Sequence, residues 1–203
     1  MNRTEHVLTD EDLVQRAGQG SETAFDALVD RYTPIVFRIA FGITGTREEA
    51  EDVVQETFLS VFKNLDSFSP TRAAFKTWIL TIARNNSINK FKYLKRRAAK
   101  LFSEFSGEEP ESALGDYPSS LGRSDAESLL SIKQEFHLVE TAFRKLPERQ
   151  RTALMLKAWE GLSYAEISEV MSMPVGTVKS YLFRARKLLK ERLVHNYGQE
   201  ALC

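Results

Sequence analysis

Apolar side chains recur with the period of an α-helix in two blocks of this chain, and a segment without any such period separates the blocks. Strand-like alternation is absent, and no internal repeat is found. The intervening segment is rich in glycine, proline, serine and acidic residues, a composition that cannot bury a core. The pattern therefore predicts an all-α protein with two small helical domains, residues 1–97 and 134–203, joined by a flexible acidic linker at residues 98–133.

Helix start signals mark the elements of the first domain. Thr9 is followed three residues later by an aspartate and predicts the N-cap of a short helix, and Ser21 predicts the N-cap of the next one. Pro34 is expected to kink or divide that second helix, because proline lacks the backbone N–H. A third helix is expected after Thr46 and, beyond a loop, a fourth that begins near Ala73.

The second domain contains two short helices that are joined by a tight turn. Ser163 and Glu166 have the spacing of a capping box and predict the start of the first of them. The turn is expected at residues 172–174, and the second helix is expected to begin around Val175. Such a pair is a helix-turn-helix, whose second helix can enter the major groove of DNA. The predicted buried stripe of that helix is Val178, Leu182, Ala185, Leu188, Leu189 and Leu193.

Charge is strongly segregated, although 28 basic and 28 acidic side chains give a formal net charge of zero. Residues 1–70 carry six basic and thirteen acidic side chains, whereas residues 71–101 carry nine basic and no acidic ones. Residues 102–135 are again acidic, with two basic and eight acidic side chains, and residues 179–203 carry six basic and two acidic ones. Two basic blocks on either side of an acidic segment indicate two nucleic-acid contacts joined by a linker.

The predicted second helix of the helix-turn-helix has a polar side opposite its apolar stripe. Phe183 stands out there, because an aromatic ring on a polar face needs a partner. A thymine methyl group is one candidate, and a neighbouring helix against which the ring folds is the other. The residues on this polar side are Lys179, Ser180, Phe183, Arg184, Lys187 and Lys190.

Other classes of function find little support. No glycine-rich phosphate loop, nucleophile elbow or metal-ligand cluster is present, so we expect no enzyme, no cofactor and no metal. The chain has one cysteine, Cys203, which leaves no disulfide framework. The polar N-terminus is no signal peptide, and no apolar run has the length of about 20 residues that a membrane helix needs. We therefore expect a cytoplasmic protein that does not insert into membranes.

The C-terminal motif resembles a known family. Residues 174–186, with the sequence PVGTVKSYLFRAR, are similar to region 4 of the sigma-70 family in its extracytoplasmic-function (ECF) group. Ser172 and Tyr181 depart from the pattern, where glycine and arginine respectively are common. The resemblance implies that this helix contacts the −35 element of a promoter. The implied contact residues are Thr177, Lys179, Ser180, Tyr181, Phe183, Arg184 and Lys187.

Two N-terminal motifs resemble region 2 of the same family. Residues 51–62 are similar to the region 2.2 helix, which docks on the polymerase clamp, with Val53, Val54, Phe58 and Phe62 expected to lie largely in the core. The implied polymerase contacts are Asp52, Gln55, Glu56 and Ser60.

Residues 75–85 resemble regions 2.3 and 2.4, which bind the melted −10 element. Trp78 is expected in the core rather than on DNA. Phe91 and Tyr93 then alternate with basic residues that include Lys90, a pattern that suits a single strand, because bases stack and phosphates pair. The implied −10 contacts are Arg84, Asn85, Asn89, Lys92, Tyr93 and Arg96.

The resemblance implies an RNA polymerase sigma factor that directs transcription initiation, in the ECF group for a stress regulon. Its implied partners are core RNA polymerase, through clamp and flap, promoter DNA and an anti-sigma factor. The alternative is a conventional dimeric helix-turn-helix regulator, which predicts palindromic operators but leaves the basic, aromatic block at residues 71–101 unexplained.

Overall fold

The computed structural model of the protein describes residues 8–106 and 141–200, with the side chains of residues 8–97 and 141–194. All regular secondary structure in this part of the chain is helical, which confirms the all-α prediction. The chain divides into two compact units at residue 98. No helix within the described residues is long and apolar enough to cross a membrane.

The first unit is built from three α-helices and from a fourth up to residue 98. They are α1 (Asp10–Gly18), α2 (Glu22–Thr44), α3 (Arg47–Asn64) and α4 (Phe75–Ser106), and a short 3₁₀ turn (Leu65–Ser67) follows α3.

Three polar caps start these helices where the sequence predicts them. The Thr9 hydroxyl accepts a hydrogen bond from the backbone N–H of Asp12, whose carboxylate accepts one from the Thr9 N–H. Ser21 and Thr46 each accept a hydrogen bond from the backbone N–H three residues on. These contacts satisfy N–H groups that lack an intrahelical partner. Pro34, in contrast, does not divide α2, which continues through it.

Asp10 anchors α1 to α2. Its carboxylate accepts hydrogen bonds from the Arg31 guanidinium and the Tyr32 hydroxyl, and Arg31 also donates to the carbonyl of Leu8 at 2.9 Å. Burial, together with the hydrogen bond to Asp10, raises the pKa of Tyr32 well above its usual value, so the phenol stays protonated.

An aromatic cluster joins α2 to the start of α4. The Phe75 ring is fully buried, and the rings of Tyr32, Phe68 and Trp78 lie 5.3–5.7 Å from it between centroids. Trp78 is half-buried within this cluster, as predicted. Around the cluster, the fully buried aliphatic side chains of the unit include Leu28, Val36, Ile39, Ile43, Val53, Val61, Ile79 and Leu80.

Two predictions for this unit are wrong. Residues 98–106, expected to begin the linker, continue α4. The expectation placed the boundary where the basic block ends, but alanine, lysine and leucine favour the helix, and the first helix breaker is Gly107. The rest of the expected linker, residues 107–133, lies outside the described residues.

Phe62, expected in the core, is 65% exposed. The buried stripe of α3 consists of Ala50, Val53, Thr57, Phe58 and Val61. Phe62 lies one position beyond the stripe, and its ring packs edge-on against Phe25 at 5.3 Å.

The second unit contains helical residues 141–144, then α5 (Glu148–Ala158), α6 (Tyr164–Met171) and α7 (Val175–Glu200). The predicted capping box opens α6: the N–H of Ser163 donates to Glu166 at 2.7 Å, and the N–H of Glu166 donates to the Ser163 hydroxyl at 3.2 Å. The side chains that α5, α6 and α7 bury include Leu154, Met155, Leu156, Ile167, Val170, Met171, Val178, Leu182 and Ala185.

The turn between α6 and α7 depends on a left-handed residue. Ser172 has φ 51° and ψ 50°, and it is the one non-glycine residue with positive φ in the described part of the chain. The next residue, Met173, donates its N–H to the Ser168 carbonyl at 3.1 Å and closes the turn. A side chain in this conformation is strained, since its Cβ approaches the backbone carbonyl.

Ser172→Gly should stabilise the second unit. Glycine adopts positive φ without the steric cost of about 1 kcal/mol, although it also gains entropy in the unfolded chain. We expect a net gain of up to about 1 kcal/mol, measured by thermal unfolding of the full chain and by slower amide exchange at Ile167 and Val178.

Ser172→Ala is the matched control, because alanine keeps a Cβ at the strained position. It should give no gain in either measurement. Equal stabilisation by glycine and alanine would contradict the assignment of the strain to φ.

Candidate nucleic-acid interface

One side of α7 is exposed along its first four turns, and we call it the α7 face. The opposite side is fixed by Val178, Leu182 and Ala185, which are buried at the spacing of successive helical turns. The α7 face lines one open depression on the surface and consists of Lys179, Ser180, Phe183, Arg184 and Lys187.

Phe183 is 69% exposed in the middle of the α7 face. The alternative in which its ring folds against a neighbouring helix is therefore wrong. An aromatic ring held in water between cations is available to an apolar group of a ligand, such as a thymine methyl in the major groove.

Some polar groups near the α7 face already have partners. Lys179 places its ammonium 5.8 Å from the centre of the Tyr164 ring at the start of α6, and Lys157 approaches the same ring at 5.2 Å. Thr177 and Tyr181, the other predicted contacts, are half-buried at the edge of the face. Tyr164 and Lys157 were not predicted from the sequence, because nothing in the spacing places α5 beside the capped end of α6.

A second exposed side lies on α4, and we call it the α4 face. The helix turns by about 100° per residue, so positions 85, 89, 92 and 96 fall on one side of it and position 93 at its edge. The face combines two carboxamides, two cations and an aromatic ring, which is the mixture that binds bases and phosphates of a single strand. It consists of Asn85, Asn89, Lys92, Tyr93 and Arg96, all exposed.

Two basic residues of this helix do not belong to the α4 face. Arg84 is only 8% exposed, so the prediction that it contacts DNA directly is wrong. Position 84 precedes Asn85 by one residue and therefore points about 100° away, into the unit.

Lys90 also points away from the α4 face. Its ammonium lies 2.9 Å from a carboxylate oxygen of Glu49 and 2.9 Å from one of Asp52, both on α3. The hydrogen bonds to Asp52 and Glu49 raise the pKa of Lys90, so it remains charged.

The exposed side of α3 combines acidic, amide and apolar groups. Asp52, Gln55 and Glu56 are exposed, as predicted for polymerase contacts, whereas Ser60 is half-buried and donates its hydroxyl hydrogen bond to the Glu56 carbonyl at 2.8 Å. Leu59 is 58% exposed and was missed from the sequence. Its position three residues after Glu56 and four after Gln55 could have placed it there. We call Asp52, Gln55, Glu56, Leu59 and Phe62 the α3 face.

Family comparisons match both units. Residues 28–97 match the sequence model of sigma-70 region 2, and residues 136–189 match that of sigma-70, region 4. The α3 and α4 faces lie within the first match, and the α7 face lies within the second.

Characterised relatives align over nearly the whole chain. The RNA polymerase sigma-H factor of Pseudomonas aeruginosa is 36% identical over 91% of this chain and 93% of the relative. The ECF RNA polymerase sigma-E factor of Escherichia coli K12 is 35% identical over 92% and 95%, and SigW of Bacillus subtilis is 31% identical over 89% and 94%.

Two solved structures share the fold. CnrH, in complex with the cytosolic domain of CnrY, matches with a TM-score of 0.62 and 25% identity over 91% of this chain and 96% of CnrH. The sigma factor RpoE of Bartonella quintana, in complex with the anti-sigma factor NepR, matches with a TM-score of 0.59 and 27% identity over 83% and 96%.

Proposed function

We propose that this chain, which belongs to the extracytoplasmic-function group of the sigma-70 family, binds core RNA polymerase through α3 and directs the polymerase to promoters through α4 and α7. The observation that carries this assignment of surfaces is the presence of two separate faces suited to nucleic acid, one in each unit, beside an acidic and apolar face on α3. A dimeric helix-turn-helix regulator accounts for the α7 face alone.

In this proposal, the two units bind different forms of DNA, one single-stranded and one duplex. The unit with α4, residues 1–97, binds the melted −10 strand, and the unit with α7, residues 134–203, binds duplex at the −35 element. The helix α4 continues past residue 97 to Ser106. No covalent bond is made or broken in this mechanism. The free energy of binding to unpaired bases drives the melting of the −10 duplex.

At the −10 element, the α4 face binds bases that have left the stack. A carboxamide such as that of Asn85 offers both a donor and an acceptor to the edge of one base. Tyr93 provides a ring on which a base can stack, and Lys92 and Arg96 lie beside phosphates. Single-stranded DNA is bound only after melting, which explains a requirement for core polymerase.

At the −35 element, α7 enters the major groove. Arg184 is placed to form hydrogen bonds with a base edge, Phe183 to contact a thymine methyl, and Lys187 to pair with phosphate. One helix offers few base contacts, so specificity needs the second contact at the −10 element.

The decisive experiment compares DNA binding with and without core polymerase. Run-off transcription from a genomic promoter library identifies promoters that depend on this chain, and a gel-shift assay on one of them then measures binding by the chain alone and by the holoenzyme. We expect specific binding only by the holoenzyme. Tight operator binding by the chain alone, as a dimer, would favour the regulator.

Substitutions on the α7 face should weaken use of the −35 element. Arg184→Ala should cost about 1–3 kcal/mol of discrimination at one base pair, the value of a bidentate contact with a base edge, and Phe183→Ala should reduce the preference for thymine at one position. Lys187→Ala should instead weaken binding to all sequences and reduce the salt slope by about one. Binding of holoenzyme to −35 variants measures both effects, and Lys145→Ala, an exposed lysine outside α7, is the control. Unchanged −35 preference in all three variants would refute the assignment.

Asn85→Ala should impair opening of the −10 element while binding to core polymerase is unchanged. Tyr93→Ala should cost about 1–3 kcal/mol, the value of a lost base stack. Permanganate footprinting of open complexes detects the defect, and a template melted in advance should not bypass it, because the bases themselves are bound. Normal footprints from both variants would contradict this role of the α4 face.

Leu59→Ser should weaken binding to core polymerase. Leu59 is exposed, so its loss leaves the fold intact. Full burial of a leucine side chain against a partner contributes about 1.5–3 kcal/mol, so its loss should raise Kd about tenfold or more. Val194→Ser, at a comparably exposed apolar side chain of the second unit, is the control. Fluorescence anisotropy against core polymerase measures both. Equal Kd values for wild type and Leu59→Ser would exclude the α3 face from the interface.

An anti-sigma factor is a further proposed partner. The similar structure of RpoE is a complex with the anti-sigma factor NepR, which supports the same class of partner here. A protein that blocks the α3 face would compete with polymerase. Co-purification with a tagged chain before and after stress tests this, and recovery of polymerase alone under both conditions would exclude it.

A further inference from the structure

Lys90 belongs by sequence to the basic block at residues 71–101, but in the structure it forms ion pairs with carboxylates of α3. Its side chain is 19% exposed, and its ammonium lies 2.9 Å from Glu49 and 2.9 Å from Asp52. Two carboxylates therefore already compensate its charge. Because Asn89 precedes it in the helix, the two side chains point about 100° apart, so Lys90 does not extend the α4 face.

Asn86 makes a second polar contact on the same side of α4, one turn earlier. Its amide donates to the hydroxyl of Thr57 at 3.4 Å, and Thr57 is fully buried. Residues 86 and 90 of α4 thus meet residues 57 and 49–52 of α3, so the two helices run antiparallel here. Together with the buried side chains earlier in α4, these two contacts fix which side of the helix faces α3.

These contacts lie at the position along α4 where its buried side chains end. Up to Ser87, α4 carries fully buried residues such as Ile79, Leu80 and Ala83. From residue 88 to residue 97, its described side chains are half-buried or exposed. The Asn89 to Arg96 part of the α4 face is therefore carried by a stretch of helix with little apolar anchorage, and Lys90 lies within that stretch.

We propose that Lys90 is a positioning residue, which sets the direction of the α4 face relative to the α3 face without touching DNA. This inference rests on the proposed function of those two faces. Asp52 takes part both in the ion pair with Lys90 and in the α3 face. One of its carboxylate oxygens binds Lys90, and its side chain is still 57% exposed and so available to the partner proposed for the α3 face. One ion pair thereby connects the face proposed to bind polymerase on α3 with the face proposed to bind single-stranded DNA on α4.

The experiment is a double-mutant cycle in the holoenzyme, on a promoter that the wild-type holoenzyme opens. Lys90→Met keeps the aliphatic length of the side chain but removes its charge, and Glu49→Gln removes one of its partners with little change in shape. We expect each to reduce open complexes about three- to tenfold. The double variant should be no worse than the worse single one, and Lys90→Arg should recover most of the wild-type level.

Salt dependence separates positioning from contact with phosphate. Lys92→Met, on the α4 face, should reduce the slope of log affinity against log salt by about 0.7 for a single strand. Lys90→Met should leave that slope at the wild-type value. Its Kd for core polymerase should stay within about twofold of wild type, which excludes general unfolding.

Three results would overturn the inference: wild-type open complexes from Lys90→Met, a salt slope reduced as in Lys92→Met, or defects of Lys90→Met and Glu49→Gln that multiply in the double variant. If Lys90→Met fails to bind core polymerase, Glu49→Gln alone decides, and normal opening by it would also overturn the inference. A wild-type holoenzyme that opens no promoter contradicts the proposed function instead.

Discussion

The two surfaces proposed to bind DNA, the α4 face and the α7 face, each depend on how firmly the buried side of their helix is held. A helix turns by about 100° per residue, so a side chain that binds DNA stands immediately beside one that belongs to the core. Phe183 lies between Leu182, which is buried, and Arg184, which is exposed. A rotation of α7 by about 100°, the angle between neighbouring residues, would exchange a buried side chain for an exposed one. Contacts with bases require side chains to be placed far more accurately than that.

The two helices are held by different interactions. The first turns of α7 are fixed by apolar packing and by the capped α6 that precedes it, interactions that salt hardly changes. The last part of the α4 face is held instead by polar contacts at Asn86 and Lys90. Ion pairs of this kind stabilise only when their partners and geometry are kept, because removing one partner leaves an uncompensated charge. If Lys90 positions the α4 face as proposed, substitutions on α3 should change the position of that face.

Much of this architecture follows from local sequence signals. Thr9, Ser21, Thr46 and Ser163 each cap the helix that their spacing predicts, since a cap is decided within four residues. The first half of the predicted apolar stripe of α7, Val178, Leu182 and Ala185, is buried and places the exposed α7 face correctly. The second half, Leu188, Leu189 and Leu193, is only half-buried. Local spacing decides these features because both partners lie on the same few turns.

What the sequence could not supply is the packing of one helix against another. Lys90 and Lys92 look alike in a basic block, and only the carboxylates of α3, 38 or more residues earlier, separate their roles. Arg84 and Phe62 were misplaced for the same reason, because each lies at the edge of a stripe whose width depends on the neighbouring helix. The helical extent of α4 beyond residue 97 was missed because charge rather than helix propensity was used to end it.

Exposed apolar side chains give the binding faces a component that charge cannot provide. Leu59 and Phe62 stand among acidic groups on α3, and Phe183 stands among cations on α7. Single exposed apolar residues are ordinary, but these lie on the faces proposed to bind polymerase and DNA. Burying one such side chain contributes about 1.5–3 kcal/mol, and that contribution is not screened by salt, whereas the surrounding charges lose strength within about 10 Å at 0.1 M. In the proposed complexes, charge then governs the rate at which the partner approaches, and the apolar contact governs the lifetime of the complex.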